Sequence, residues 1–279
     1  TYLDIMIAAY LLELNVKDDI AYLMNPKGYD VTFYDVAKKS EFKPSDIVKK
    51  SRYIFDSKEE YVTSLKREEM FNLYKDIEHP LIKVLADMEL TGIKCDKNIL
   101  ESQGAEVKQR IDKLDKLIQE QCGEEFNVAS PRQLGVVLFE HLNLPFAKKI
   151  KSGYKTDQET LRKLVDYHPA IKNIIEYRNI TKLYNTYLDG LVPYIKKDGK
   201  IHTTYKQNMT RTGRLSSAEP NMQNIPARDM EGKKIKKAFF PSNDILMSCD
   251  YSQIELRVLA HMSGDESLIE AYNEGQDIH

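Results

Sequence analysis

The sequence predicts an α+β fold, in which a helical region of about 110 residues precedes a small sheet. Apolar residues recur at helical spacing on one stripe of a long segment that follows Asp96, namely Val107, Ile111, Leu114 and Ile118. Beyond Gly190 the pattern changes to short β-prone runs at residues 201–207, 238–241 and 245–251. These runs do not alternate with helices, so the pattern disfavours repeating βαβ units.

Length and composition are those of an ordinary globular chain with two or three compact units. The chain has 279 residues, of which 42% are hydrophobic and 30% are charged. Its longest apolar run, residues 5–12, is far too short to span a bilayer. No signal segment opens the chain, and three cysteines cannot form a disulfide framework, which indicates a reduced, intracellular protein. The chain also lacks an initiator Met, which suggests a piece of a longer protein.

The elements follow in order along the chain. Up to about residue 72 we expect short helices and loops, since residues 25–46 are polar and turn-rich. Asp96 is placed to cap the long helix at its N-terminus. Residues 130–133 and 156–159 read as capping boxes that start two further helices, with a basic loop between them, and Pro169 opens another helix.

Positive charge is concentrated in one window of the sequence. Residues 195–240 hold eleven Lys and Arg against four Asp and Glu, which gives this window a net charge of +7. Because the whole chain has a formal net charge of −2, the rest of it carries −9. Such a window is a candidate surface for a phosphate backbone. A solvated lysine-rich face explains the same count equally well.

The segment Asp250 to Arg257, with the sequence DYSQIELR, is the first candidate site. We expect residues 245–251 to form a buried strand that ends at Asp250, with a helix from Ser252. A carboxylate at a strand end is well placed to hold a hard divalent cation such as Mg²⁺. The alternative is structural, because Ser252 and Glu255 also fit a capping box, and Asp250 would then only complement the helix dipole.

The second candidate is the polar stretch TRTGRLSS at residues 210–217, followed by residues 220–226. Gly213 permits close backbone approach, and two serines supply short hydroxyls. Planar donor groups suited to phosphate, sugar or base edges come from Arg214, Gln223 and Asn224. A solvated loop is the alternative. Other chemistry fits poorly, since the sequence has no phosphate-binding loop, dinucleotide fingerprint, C-x-x-C pair or H-E-x-x-H motif, and Cys249 is interpreted as a core residue.

Together, these two motifs resemble family A DNA polymerases, the bacterial DNA polymerase I group. The resemblance extends to residues 130–139 as part of the thumb, to residues 182–187 as its return to the palm, and to residues 275–279 as the start of the fingers. It implies five regions: residues 1–72 as a partial, inactive 3′–5′ exonuclease-like domain, 73–96 leading into the palm, 97–190 as thumb, 191–262 as the first half of the palm, and 263–279 as the start of the fingers.

The resemblance also implies roles for single residues. Asp250 matches the first of two catalytic, metal-binding aspartates, and the Tyr251 carbonyl would complete the coordination of one of two Mg²⁺ ions. Gln253 and His279 would contact the incoming deoxynucleotide, and Glu255 would exclude a ribose 2′-hydroxyl. The residues that match primer–template contacts are Lys182, Thr186, Arg214, Ser216, Asn221, Gln223, Asn224 and Arg228. The expected partners are primer–template DNA and deoxynucleoside triphosphates, for a monomer in the bacterial cytoplasm, at the nucleoid, with no membrane association.

Departures from the family pattern lead to two negative predictions. The second catalytic aspartate and the fingers helix lie further along family chains, so the 279-residue chain alone is predicted not to extend primers. In the exonuclease-like region Asp4 falls at a metal-ligand position, but Ser57 stands where the family's Tyr-x-x-x-Asp motif has aspartate. Shifting the alignment by one residue would bring in Asp56 instead. We therefore predict no proofreading.

Two alternatives to a DNA polymerase remain open on the sequence. One is a DNA-binding module that uses the thumb and the basic palm surface without chemistry. The other is a single-subunit RNA polymerase, which shares the palm. Glu255 argues against the latter, because an enzyme that makes RNA needs room for the 2′-hydroxyl.

Overall fold

The computed structural model describes residues 3–14, 16–34, 43–226 and 230–276. The chain divides into two compact units, Thr1–Phe240 and Pro241–His279. Helices dominate, and the strands are short and antiparallel, so the predicted α+β class is confirmed. No helix in these four ranges has the length and apolar character needed to cross a bilayer.

The first region of the larger unit is built on one long helix. Its helices are α1 (Ile5–Leu11), α2 (Ala21–Met24), α3 (Pro44–Arg67) and α4 (Phe71–Leu73), with a 3₁₀ turn at Asn25–Lys27 and a π turn at Tyr74–Glu78. The prediction of only short helices before residue 72 is wrong, because α3 has 24 residues. Helix α3 buries Tyr53, Ser57, Tyr61 and Leu65, a stripe with one aliphatic residue that gives little periodic apolar signal.

A helical bundle forms the second region. After α5 (His79–Thr91) come α6 (Lys97–Cys122), α7 (Pro131–Val136), α8 (Gln158–Lys163) and α9 (Ala170–Leu183), with π turns at Val137–His141 and Tyr184–Leu188. Its core includes the predicted stripe of α6 together with residues on or next to α7, α8 and α9, such as Leu134, Leu138, Leu161, Ile171 and Ile174. The long amphipathic helix is therefore confirmed.

Local capping bonds start the bundle helices. An Oδ1 of Asp96 accepts hydrogen bonds from the backbone of Asn98 at 2.8 Å and of Ile99 at 3.4 Å, as predicted. The predicted start at residue 130 is also confirmed. The second capping box is wrong by one residue, because Asp157 is the N-cap of α8. Thr156 is buried instead, and its hydroxyl oxygen lies 3.2 Å from Nη2 of Arg178.

Within the described ranges, seven short strands make three sheets: β1 (Ile93–Cys95), β2 (Lys149–Ile150), β3 (Gly153–Tyr154), β4 (Lys200–Ile201), β5 (Thr204–Lys206), β6 (Ser216–Ala218) and β7 (Phe239–Phe240). The order β4-β1-β7 forms the largest sheet, in which Ile93 pairs with Ile201 and Cys95 with Phe239. A 3₁₀ turn, Val192–Tyr194, and helix α10 (Met230–Lys236) belong to this region. A third core joins the sheet to α10 and to the ends of α6 and α9.

The described part of the smaller unit, residues 241–276, contains the helices α11 (Ile254–Ser263) and α12 (Glu266–Asn273). The prediction of a buried strand at residues 245–251 is wrong: Ile245 is 80% exposed and Met247 is 79% exposed, and neither lies in a strand. A strand requires a hydrogen-bonded neighbour, and among the described residues none pairs with this segment. Cys249 is consequently exposed, which corrects its interpretation as a core residue.

Candidate nucleic-acid interface and catalytic carboxylate

The loop that joins β5 to β6 presents Arg214, a predicted contact residue, and the neighbouring Arg211 to solvent. Gly213 has a φ of 75°, a left-handed conformation that favours glycine, and it allows the loop to turn back. The Thr210 hydroxyl closes the turn by donating to the Arg214 carbonyl at 2.6 Å. Arg211 and Arg214 are both exposed at this turn. The loop is thus an ordered turn with cationic side chains on its outer surface.

The two serines at the start of β6 have different roles. Ser217 is 4% exposed, and its Oγ lies 2.7 Å from Oγ1 of Thr203 and accepts from the Met222 amide at 2.9 Å. The expectation that both hydroxyls are available to a ligand is therefore wrong for Ser217, whose hydroxyl holds the turn at residues 217–222 together. Ser216, in contrast, is half-buried and pairs with Lys206 across the hairpin.

The end of the bundle meets the segment that follows this turn. The Tyr187 hydroxyl donates a hydrogen bond to the carbonyl of Asn224, 37 residues away in the sequence. Lys182 and Thr186, close to Tyr187, are exposed, as are Asn221, Gln223 and Asn224. The structure therefore brings two of the predicted DNA-contact groups together. Sequence reasoning gave Tyr187 no role, and no local pattern could have paired it with Asn224.

Lysines crowd the outer surface of α10. Lys233, Lys234, Lys236 and Lys237 are exposed, and no ion pair joins any of the four to another residue within the described ranges. Their charges are available to a polyanion or to solvent. The predicted contact residues Arg228 and His279 lie outside the described residues.

Asp250 is an exposed carboxylate just before α11. Within the described ranges it makes no hydrogen bond and no ion pair, and the adjacent Tyr251 is 79% exposed. Helix α11 begins at Ile254 rather than Ser252, and its N-cap Gln253 makes no side-chain capping bond. The alternative interpretation as a capping box is therefore wrong. Glu255 lies exposed in the first turn of α11, on the same short segment as Asp250.

The ligand set for a divalent cation is incomplete in the part of the chain that the structure describes. No three His, Cys, Asp or Glu side chains cluster there in a way that could hold a metal ion. The Asp250 carboxylate and the Tyr251 carbonyl are oxygen ligands of the kind that hard cations take. One carboxylate does not make a site, so Asp250 fits such an ion only as one member of a larger ligand set.

Before residue 72, the acidic side chains considered as metal ligands have other partners. An Oδ1 of Asp4 caps α1 by accepting from the backbone of Met6 at 2.9 Å and of Ile7 at 3.1 Å. Ser57 is buried and donates to the Tyr53 carbonyl. Asp56 is 42% exposed and lies 2.6 Å from Nε of Arg52. The arrangement has one carboxylate occupied by a helix end and another paired on the surface.

A protein-family profile decides how these segments are related to known proteins. The profile described as DNA polymerase family A matches residues 97–279, which include the loop at 210–217 and the segment from Asp250. The chain belongs to DNA polymerase family A. The resemblance predicted from the two motifs is thereby confirmed.

Individual relatives give the extent of the similarity. The chain is 48% identical over 288 aligned positions to DNA polymerase I of Lactococcus lactis, and 42% identical over 290 to that of Geobacillus stearothermophilus. Each alignment covers 99% of this chain but only 33% of the relative. The chain thus spans about a third of the length of these relatives.

A solved structure shows the same fold. It is the polymerase domain of Pol1 from M. smegmatis, in complex with a DNA primer-template and dNTP, with a TM-score of 0.80 and 34% identity. The match covers 99% of this chain and 48% of that chain. The similarity to this structure therefore includes the residues before 97, which the family profile does not match.

Proposed function

We propose that the chain is part of a DNA-directed DNA polymerase, a nucleotidyltransferase that extends a primer on a template in replication and repair. The observation that carries this proposal is membership in family A across residues 97–279, which contain the exposed Asp250. The solved relative was bound to primer-template and dNTP, which supports the same two partners here.

We propose that primer–template DNA lies along the end of the bundle and along the loop between β5 and β6, which carries Arg211 and Arg214. Lys182, Thr186, Gln223 and Asn224 are exposed, and the bond from Tyr187 to Asn224 holds their two segments together. Arg214, Ser216 and Asn221 extend the same surface, and Arg228, which lies outside the described residues, is proposed as a further DNA contact from the family motif alone. Cationic and amide side chains of this kind bind phosphates and position the duplex.

We propose that Asp250 supplies one carboxylate to a Mg²⁺ site that the longer protein completes, as in a mechanism with two metal ions. Such ions, when bound, supply the Lewis acidity that activates a 3′-hydroxyl and stabilises the leaving pyrophosphate. This chain would contribute the Asp250 carboxylate, which bonds with none of the described residues, and the Tyr251 carbonyl. Because one carboxylate is not a site, we propose that the isolated 279-residue chain does not extend primers.

The decisive experiment uses Asp250→Asn in the full-length enzyme. We expect primer extension to be lost, by about 10³-fold or more, while the Kd for primer–template stays within about twofold. Asp244→Asn is the matched control, since Asp244 is exposed in the same segment, and it should leave extension unchanged. Equal loss in both variants, or full activity of Asp250→Asn, would refute the assignment. Absence of extension by the parent enzyme, with DNA binding retained, would favour the non-catalytic DNA-binding module.

Selection of the sugar is proposed to depend on Glu255. Glu255 lies in the first turn of α11, two residues after Gln253, which is proposed with His279 to contact the nucleotide. Glu255→Ala in the full-length enzyme should increase incorporation of ribonucleotides relative to deoxynucleotides. Unchanged discrimination would remove this role and with it the argument against an RNA polymerase.

We also propose that the longer protein does not proofread. The capping bonds of Asp4 and the surface pair of Asp56 with Arg52 support this, because neither carboxylate belongs to an acidic cluster among the described residues. Metal-dependent removal of a mismatched 3′ nucleotide by the full-length protein would contradict it. The proposal also includes the five regions, with bounds at 72, 96, 190 and 262. We further propose that the protein is a monomer and that it lies in the cytoplasm, at the nucleoid. The separate cores of the first region and of the bundle support a division between these two regions.

A further inference from the structure

Arg110 joins three helices through one side chain. Its Nε and Nη2 lie 2.9 Å and 2.5 Å from Oε1 of Glu176 on α9, and its Nη1 lies 3.0 Å from Oε1 of Glu231 on α10. A guanidinium presents its donors in a rigid planar fork, so such bonds fix directions as well as distances. Arg110 therefore ties α6 to another bundle helix on one side and to α10 on the other.

Gln103 makes a second bond from α6 to α10. It precedes Arg110 by seven residues, which is two helical turns, so both side chains leave the same face of α6. Its Nε2 donates to the carbonyl of Lys234 in the last turn of α10 at 3.0 Å. The two bonds reach α10 at Glu231 and Lys234, three residues apart and therefore on the same face of this helix. We refer to Gln103, Arg110, Glu231 and the Lys234 carbonyl as the polar clasp.

The apolar packing beneath the polar clasp is interrupted. A crevice of about 220 Å³ lies there, and the residues around it include Val107, Leu188 and Ile235 as well as the side chains of the clasp. Oε1 of Gln103 is buried at this place without a hydrogen-bond partner in the described part of the chain. Close-packed interiors transmit orientation through contact, and a crevice weakens that constraint. The third core, with Leu100 and Ile235, also holds α6 against α10, and the polar clasp adds directional contacts beside the crevice.

We propose that Arg110 is a positioning residue, which fixes the orientation of the helical bundle on α10 so that both sides can hold one duplex. The bundle side carries Lys182 and Thr186, and the chain before α10 carries Gln223 and Asn224. This inference rests on the proposed function, because the duplex contacts are the proposed ones. A bundle that turns on α10 would lose contacts on one side when it binds through the other.

The first test needs no DNA. Nitroxide labels are placed at the exposed positions Lys151 on the β2–β3 hairpin and Lys237 after α10, in full-length enzyme whose other exposed cysteines are replaced by serine. Pulsed electron resonance then gives the distribution of distances between the labels. Arg110→Gln should broaden or shift that distribution, and Arg110→Lys should do so too, because one ammonium group does not reproduce the fork.

The matched control is Asp112→Asn, two residues further along the same helix. It breaks the ion pair between Lys108 and Asp112, which has a comparable separation of 3.0 Å and comparable exposure but stays within α6. The control should leave the distribution unchanged. Identical distributions for the parent, Arg110→Gln and Asp112→Asn enzymes would overturn the inference, whatever the enzyme does with DNA.

The second test measures primer–template binding as a function of salt. Arg110→Gln should raise the Kd about tenfold and reduce the slope of log Kd against log salt by about 1–2, the change expected when one or two phosphate contacts are lost. Single-turnover extension at saturating DNA should stay within about threefold of the parent rate. A lower melting temperature with an unchanged salt slope would mean that Arg110 only stabilises the fold, and would overturn the positioning role.

The two tests separate this inference from the proposed function. If the label distribution changes while the parent enzyme binds no primer–template, the proposed function fails and the orienting contact stands. If the parent enzyme binds and extends DNA while the distribution and salt slope of Arg110→Gln match those of Asp112→Asn, the inference fails and the proposed function stands.

Discussion

The helical bundle and the segment around Asp250 contain similar proportions of apolar residues but bury them to very different extents. Leu138 and Ile174 in the bundle are fully buried, whereas Leu246 before Asp250 is 64% exposed and Val258 on α11 is 47% exposed. The bundle closes its core with its own helices, while the smaller unit packs few of its apolar side chains among the residues described. An apolar run in the sequence therefore predicts burial only where the chain also supplies the surface that covers it.

The largest predicted effect is on the free energy of unfolding of two leucine-to-alanine variants. Leu138→Ala should lower the free energy of unfolding of the 279-residue chain by about 2–5 kcal/mol, because it removes buried methyl groups and leaves a cavity. Leu246→Ala should change it by less than about 0.5 kcal/mol, because its side chain is already in solvent. Urea unfolding followed by circular dichroism measures both. Comparable losses of unfolding free energy in the two variants would contradict the difference in burial between the two regions.

A smaller difference is expected for two serines. Ser217→Ala removes a buried hydroxyl that bonds with Thr203 and the Met222 amide, so unfolding free energy should fall by about 1–3 kcal/mol. Ser252→Ala should cost nothing measurable, because the capping box that would use this hydroxyl is not formed. If Ser252→Ala is instead the more costly change, α11 is capped by Ser252 after all.

The same contrast in stability is expected for two aspartates that lie just before helices, Asp96 and Asp250. Asp96→Ala should lower the unfolding free energy by about 0.5–2 kcal/mol, since it removes two capping bonds from α6. Asp250→Ala should leave the free energy unchanged within about 0.5 kcal/mol, because Asp250 bonds with none of the described residues. The same urea series measures both. A clear loss for Asp250→Ala would return Asp250 to a structural role.

The features that the sequence predicted correctly are those fixed by neighbours in the chain. The Asp96 cap, the start at residue 130 and the stripe of α6 each depend on residues within a few positions of one another. Helix α3 was missed because its buried face is mostly tyrosine and serine, joined by a bond of 3.0 Å between the hydroxyls of Tyr53 and Tyr61. The false strand at 245–251 had the right composition but no partner strand.

The candidate site divides in the same way. Asp250, Arg214 and Asn224 were proposed from motifs, because each lies in a short run of the sequence. The bond from Tyr187 to Asn224 and the polar clasp at Arg110 join residues far apart in sequence, from 37 to 131 positions. Nothing in a local pattern specifies such pairs. They follow from the packing of the bundle against α10, which the sequence alone did not define.

The smallest expected effect depends on pH and concerns His202, in the well-packed unit. Its Nδ1 lies 2.6 Å from the Glu89 carbonyl, near the C-terminus of α5, and its Nε2 lies 3.0 Å from Oδ2 of Asp198. Both oxygens only accept, so the charged imidazole satisfies both. The pKa of His202 is accordingly raised from its ordinary value of 6.5, chiefly by the Glu89 carbonyl and then by Asp198.

Because the folded-state pKa of His202 is raised, the stabilisation is fully present below pH 6.5 and is lost as the pH rises through the raised pKa. A cation near a helix C-terminus contributes about 0.3–1 kcal/mol, so the unfolding free energy of the parent should fall by that amount relative to His202→Gln across this range. Urea midpoints at a series of pH values measure the difference between parent and variant. A difference that stays constant with pH would mean that the imidazole binds these two oxygens without carrying a charge.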